Sequence, residues 1–279
     1  MGQHVGKRRV ALSQRFRNAK YPRDTLSDTG GNGYFSANGN DFYWTCPENV
    51  YEVHVVCVGG GGGGDDAFSG GTSLDGGNSY FIDTNTVAGF GGTAALMGPG
   101  NNQTVPGGGF VGDGGGHGGF GNYIAAGTGG RGGGAGGDSA NGSPGATSTT
   151  DSLNPGGGAG AGGAQGFRSG GGVGVFGEGA SGTNGQAGSG GSSASTLGVN
   201  NLSVDKNYGG GGGGRSGGHA GAGGGLGWKN NIPVIPGRQY LVRAGGRGES
   251  NSGFSTYNGG QGAVRIIYGD ARSYPDNVT

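Results

Sequence analysis

Two uninterrupted runs of six glycines, Gly59–Gly64 and Gly209–Gly214, constrain this chain more than any other feature. No side chain exists in either run, so the only chemistry there is backbone N–H, C=O and Cα–H. Glycine also loses more conformational freedom on ordering than any other residue. A folded run therefore needs an unusually complete set of backbone hydrogen bonds. Gly supplies 82 of 279 residues and Pro only 9. A collagen triple helix needs Gly at every third position and abundant Pro, and six consecutive glycines break that register. A flexible linker is the other reading of such a composition. Against it stand apolar residues placed regularly through the middle of the chain, among them Phe81, Phe90, Phe110, Phe120, Val173 and Phe176.

Glycine forms threefold left-handed helices close to polyproline II geometry. Lacking Cβ atoms, such helices can lie side by side, each N–H bonding a neighbour's carbonyl and Cα–H···O contacts adding weak support. The expected fold is mainly β and irregular. A small antiparallel sheet from N- and C-terminal strands is joined to a glycine-rich polyglycine II helix sandwich, with no greasy interior in the glycine body.

Strand signals bracket the runs. Phe42, Trp44 and Cys46 alternate with Tyr43 and Thr45, Pro47 to Asn49 turn the chain, and YEVHVVCV (51–58) is rich in β-branched residues. These two stretches predict a hairpin, with His54 a half-buried strand residue. Residues 225–246 predict a second strand pair around a proline-bounded turn, and GAVRIIYG (262–269) a final strand. All are expected in one sheet. The organisation predicted is an N-terminal arm over 1–40 and a glycine-rich body over 41–279. Within the body, strands at 42–58 and 232–268 frame a polyglycine II region at 59–230. Islands at 79–83, 86–90, 109–112, 122–126 and 172–182 read as short strands or turns, and 138–155 as an exposed loop. Cys46 and Cys57 read as buried free thiols, with a cross-hairpin disulfide the alternative.

Net charge is zero but unevenly laid out. Residues 1–23 carry Lys7, Arg8, Arg9, Arg15, Arg17, Lys20 and Arg23 and no acid. Removing these seven from the 17 basic residues leaves 10 against 17 acidic ones, a net −7 for the remainder. Such asymmetry points to an arm bound to an acidic surface. Leu12, Phe16 and Ala19 have helical spacing within it. Docking on another protein is the first reading, and phosphate contact with nucleic acid the second. No apolar stretch approaches the roughly 18 residues of a membrane span, and no signal-peptide h-region is present. Membrane insertion is therefore not expected.

Motifs for chemistry are weak. G-x-G-x-x-G recurs by chance in so much glycine, and no G-K-[ST] follows a glycine loop. Gly214 to Gly218 (GRSGG) fits a nucleophile elbow formally but lacks the strand-turn-helix context. GGGGDDAFS (61–69) and GGAGGDSAN (133–141) resemble a calcium repeat, yet β-rolls need tandem copies. Asp65 and Asp66 read instead as solvated charges ending a glycine helix. The four histidines and two cysteines show no ligand spacing. Nothing here pairs two carboxylates for glycan hydrolysis. No catalytic residue, metal ligand, cofactor or small-molecule substrate is expected.

The aromatic-x-x-Pro hairpin leading into VGGGGGG resembles glycine-rich virion proteins of tailed bacteriophages, especially marine and cyanobacterial ones. So do GGNSYFI, FGEGASG, GLGWKNNI with PGRQY, and the ending GAVRIIYGDARSYP. The likeness covers most of residues 41–275. Related adhesins at the tips of T-even long tail fibres fold as polyglycine II sandwiches whose apical loops touch host receptors; the likeness to those is architectural. The resemblance implies a noncatalytic virion surface protein on a tail or head appendage, first of all a tail-fibre or fibre-tip adhesin. Its partners would be tail fibre, baseplate or capsid proteins and a host cell-surface receptor, with a homo-oligomer also open. Phe68, Phe110, Phe120 and Tyr123 would be receptor contacts, or equally caps over the ends of glycine helices. The basic arm stands where a fibre-attachment domain would be. The alternative is a head decoration, head-fibre or minor capsid protein.

Overall fold

The computed structural model describes residues 24–27, 40–66, 72–95, 104–122, 129–145, 155, 159–163, 169–183, 188, 208–214, 218–251, 257–269 and 272–276. These hold ten strands and no α-helix, so the mainly-β expectation is met. The strands are β1 (Asp24–Ser27), β2 (Asn40–Thr45), β3 (Glu52–Val58), β4 (Ser79–Phe81), β5 (Val87–Gly89), β6 (Phe110–Val111), β7 (Gly114–Gly116), β8 (Leu226–Pro233), β9 (Gln239–Ala244) and β10 (Ala263–Ile267).

They make two five-stranded antiparallel sheets, not one: β1-β10-β3-β8-β7 and β2-β9-β4-β5-β6. The predicted hairpin is absent, because β2 pairs with β9 while β3 pairs with β10 and β8. Likewise β8 and β9 lie in opposite sheets. Both turns are therefore arches that carry the chain from one sheet to the other. The arches bond to each other: Cys46 N–H to Arg238 O at 2.9 Å, Gly237 N–H to Cys46 O at 2.8 Å and Val234 N–H to Tyr51 O at 2.9 Å. Residues 24–27, read from sequence as part of the arm, form the edge strand β1. The glycine region expected over 59–230 contains β4 to β7.

The strands enclose an apolar interior, contrary to the expectation of a body without one. Between the sheets pack Trp44, Val53, Val55, Cys57, Phe81, Val242, Val264 and Ile266, among others. Trp44 lies at the centre, its ring 6.0 Å from Phe81 and 6.2 Å from both Tyr240 and Tyr268. Strand alternation sends Val56 and Val58 to the opposite face. There, with Leu226, Ile267 and Trp228, they pack beneath Ala135, Val173, Val175, Tyr208 and Tyr274. The YEVHVVCV stretch is thus apolar on both faces because both faces are covered. Cys46 and Cys57 are free and buried. The Cys57 thiol is pushed well up in pKa by burial.

The first glycine run leaves β3 directly and donates in rotation to three neighbours. Gly59, Gly60 and Gly61 N–H bond Gly225, Gly77 and Gly260 O; Gly62, Gly63 and Gly64 then bond Ala222, Leu74 and Tyr257 O. Every third residue returns to the same neighbouring segment. The same cycle runs elsewhere. Gly130, Gly133 and Gly136 bond Gly218, Gly221 and Gly224, and Gly221 and Gly224 bond Gly212 and Gly209. Segment 90–95 shows how a direction without a suitable carbonyl is filled. Gly92 and Ala95 donate to Gly60 and Gly63, Phe90 and Thr93 to Gly109 and Pro106. Gly91 and Ala94 donate instead to the side chains of Asn78 (2.9 Å) and Asp75 (2.6 Å). Of residues 138–155, expected to loop out, 138–145 join this array, while 146–154 lie outside the described residues. Ser143 is buried, its carbonyl accepting from Gly134 and its N–H bonding Gly160 O.

Candidate contact surface at the two ends of the body

The connections between sheets and glycine segments give the body two distinct ends. β3 and β9 run into Gly59 and Gly245, and β8 and β10 emerge from Gly225 and Gly262, all at one end of the sandwich. The two arches close the other end. Antiparallel pairing of Asp24 with Ile267 brings the chain from residue 23 into the body at the arch end.

At the far end of the array, Asp65 and Asp66 are only 3% and 2% exposed, so they are not the solvated charges expected. Asn251, distant in sequence, accounts for this: its Oδ1 accepts from Asp66 N–H at 2.9 Å, and its Nδ2 donates to Asp65 Oδ1. Asp65 N–H bonds His219 O at 2.8 Å. Ser73 Oγ donates to Gly64 O at 2.8 Å and accepts from Asn251 N–H at 3.2 Å. Burial raises the Asp65 carboxyl above its ordinary pKa, with the Asn251 amide opposing. This cluster is a polar cap, and among the described residues no three His, Cys, Asp or Glu side chains could hold a metal ion. Chemically it does what a helix cap does, satisfying backbone groups where the repeating partners stop. Asn251 and Ser73 carry no motif, so sequence reading passed over them; their position beside glycine runs was the available signal.

The predicted site residues fall in different places. Lys7, Arg8, Arg9, Arg15, Arg17, Lys20 and Arg23, with Phe68 and Tyr123, lie outside the described residues, as do Arg215 to Gly217 of the formal elbow. Phe110 is half-buried in β6, edge-on to His117 at 5.4 Å. Phe120 is 50% exposed, and its carbonyl accepts from Gly145 N–H. No ring contact joins the two phenylalanines. The described points from which connections leave and return do converge on the capped end. Gly64 bonds Tyr257, Ala95 bonds Gly63, Gly214 bonds Gly130, and Gly130 bonds Gly218.

His54 sits at a bulge in the β3–β8 pairing, where Asn230 and Asn231 oppose it. It is 5% exposed, and its Nδ1 accepts from Asn231 N–H at 3.3 Å. Burial lowers its pKa, with Arg272 acting the same way and Glu52 and Asn230 opposing. Asn230 holds the C-terminal turn by a reciprocal pair, donating to Tyr274 O and accepting from Tyr274 N–H, both at 2.9 Å. Among the described residues no helix is long and apolar enough to cross a membrane.

No family model, curated protein or solved structure matches the chain.

Proposed function

We propose that this chain is a noncatalytic structural protein of a phage virion, a tail-fibre or fibre-tip adhesin attached through its basic N-terminal segment. The observation that carries the reading is the two-ended layout: β1, which follows the basic segment in sequence, begins at the arch end, and the described glycine segments run to the polar cap at the opposite end. A body so arranged holds its attachment and display functions apart. We read the glycine segments as polyglycine II helices packed side by side. The exchange of hydrogen-bond partners every third residue supports this, because the polyproline II conformation has three residues per turn. Stiffness then comes from bonds in three directions and from the apolar sandwich at the base. Connecting turns at the capped end are free to carry recognition, as loops on rigid scaffolds do.

Labelling purified particles with antibody against residues 41–279 tests the function. Tail-tip labelling is the expected result. Label on heads alone removes the adhesin reading in favour of a head decoration, and bare particles remove both. The polyglycine II reading has its own test in amide exchange: Gly60 to Gly64 should be protected to the level of β3, and coil-like exchange there would end it.

A further inference from the structure

We propose that the arch end of the body is a docking face for the basic segment 1–23 of a second copy of this chain. This does not depend on the virion reading.

The face is built from described residues. Tyr51 and Ile235 are each 57% exposed, one in each of the two arches that the Val234 N–H to Tyr51 O bond ties together. Tyr51 is flanked by the exposed acids Glu48 and Glu52. Arg238, the exposed cation of the described arches, lies over the Tyr240 ring at 5.4 Å. The face is also rigid. Three backbone bonds tie arch to arch, and Ile235 N–H bonds Tyr240 Oη at 2.8 Å. Exposed aromatic and aliphatic side chains on arches already tied together suit an interface core, with little ordering cost on binding.

The occupant follows from the chain's own charge. Residues 1–23 carry seven cations and no acid, while the remainder is net −7. That segment also contains Leu12 and Phe16, apolar residues that can pack on exposed Tyr51 and Ile235. It joins the body at the arch end, through Asp24 opposite Ile267. Fully extended, 23 residues span about 75 Å, ample to reach a facing copy. Reciprocal exchange between two arch ends gives a closed two-fold dimer and leaves both capped ends pointing outward.

Sedimentation velocity of the full chain is the test. Expected is a dimer at about 0.05 M salt that dissociates toward 0.5 M, since exposed charge attraction is screened over a few ångströms there. The exposed double variant Tyr51→Ser, Ile235→Ser should weaken the dimer at least about tenfold, while the thermal midpoint in about 0.5 M salt, where the wild type is already dissociated, stays unchanged. Excess synthetic peptide of residues 1–23 should compete the dimer apart. A chain that is monomeric at low salt overturns the proposal. So does a dimer that both the double variant and the peptide leave intact.

Discussion

At Gly62 a methyl group has nowhere to go: a Cβ there would overlap the carbonyl of Thr93, which is fixed backbone. Gly59 and Gly62 face Phe90 and Thr93, Gly60 and Gly63 face Gly246 and Glu249, and Gly61 and Gly64 face Gly210 and Gly213. The excluded positions thus cycle in threes as the hydrogen bonds do. Gly62→Ala should destabilise the protein by about 3 kcal/mol or more, as severe overpacking does. Gly237→Ala is the control. Its φ of 77° is strained for alanine, but nothing lies within 4 Å, so about 1–2 kcal/mol is expected. Chemical denaturation of both variants checks the contrast, and equal effects would contradict close approach as the cause. His54 supplies a pH dependence. Its folded pKa lies below the unfolded value of about 6.5, so the neutral ring stabilises the fold above that pH. This stability is lost as pH falls through 6.5 toward the depressed value. Between pH 7.5 and 5.5 the wild type should therefore lose more stability than His54→Gln, measured by thermal melting at each pH.

Among the elements, the segment 90–95 tests the principle of filled directions. Asp75 and Asn78 stand three residues apart and serve Ala94 and Gly91, also three apart. Ala94 is buried. Asp75→Ala should therefore cost about 1–3 kcal/mol by stranding its N–H, and accelerate exchange at that amide. Asn78→Ala, beside the more accessible Gly91, should cost less. The strands were legible for the same reason they fold: alternation in 42–46 and 239–244, and four valines among the seven residues 52–58. Islands such as SYF and VAG are β4 and β5 because aromatic and branched residues stand out against glycine. β7 is Gly114–Gly116 and offers no side chain to read. Pairing was not legible, because a turn of five or six residues can close a hairpin or bridge two sheets. Only the partner strand decides, and β9 lies almost two hundred residues from β2. Nor could composition show that Asp65 is buried, since its partner Asn251 is equally remote.

For the whole molecule, the two ends make separable predictions. Every described strand lies within 24–279, so in about 0.5 M salt deleting residues 1–23 should leave the thermal midpoint within about 2 °C of the full chain. Attachment to a particle, or pairing with a second copy, should be lost. A large drop in the midpoint would mean that the segment belongs to the fold. The division of labour inside the body is equally plain. Side chains fill the interior between the sheets, main chain with a few side-chain caps holds the array beyond it, and Val58–Gly59 is the seam where one mode gives way to the other.

Because each carbonyl around Gly59–Gly64 occupies the space where a neighbour's first side-chain carbon would stand, the array has almost no vocabulary in which to mutate. A coding change away from glycine there should fail for want of room. The body is therefore written in two scripts: an interior spelled with one letter, and margins where side chains have room to stand.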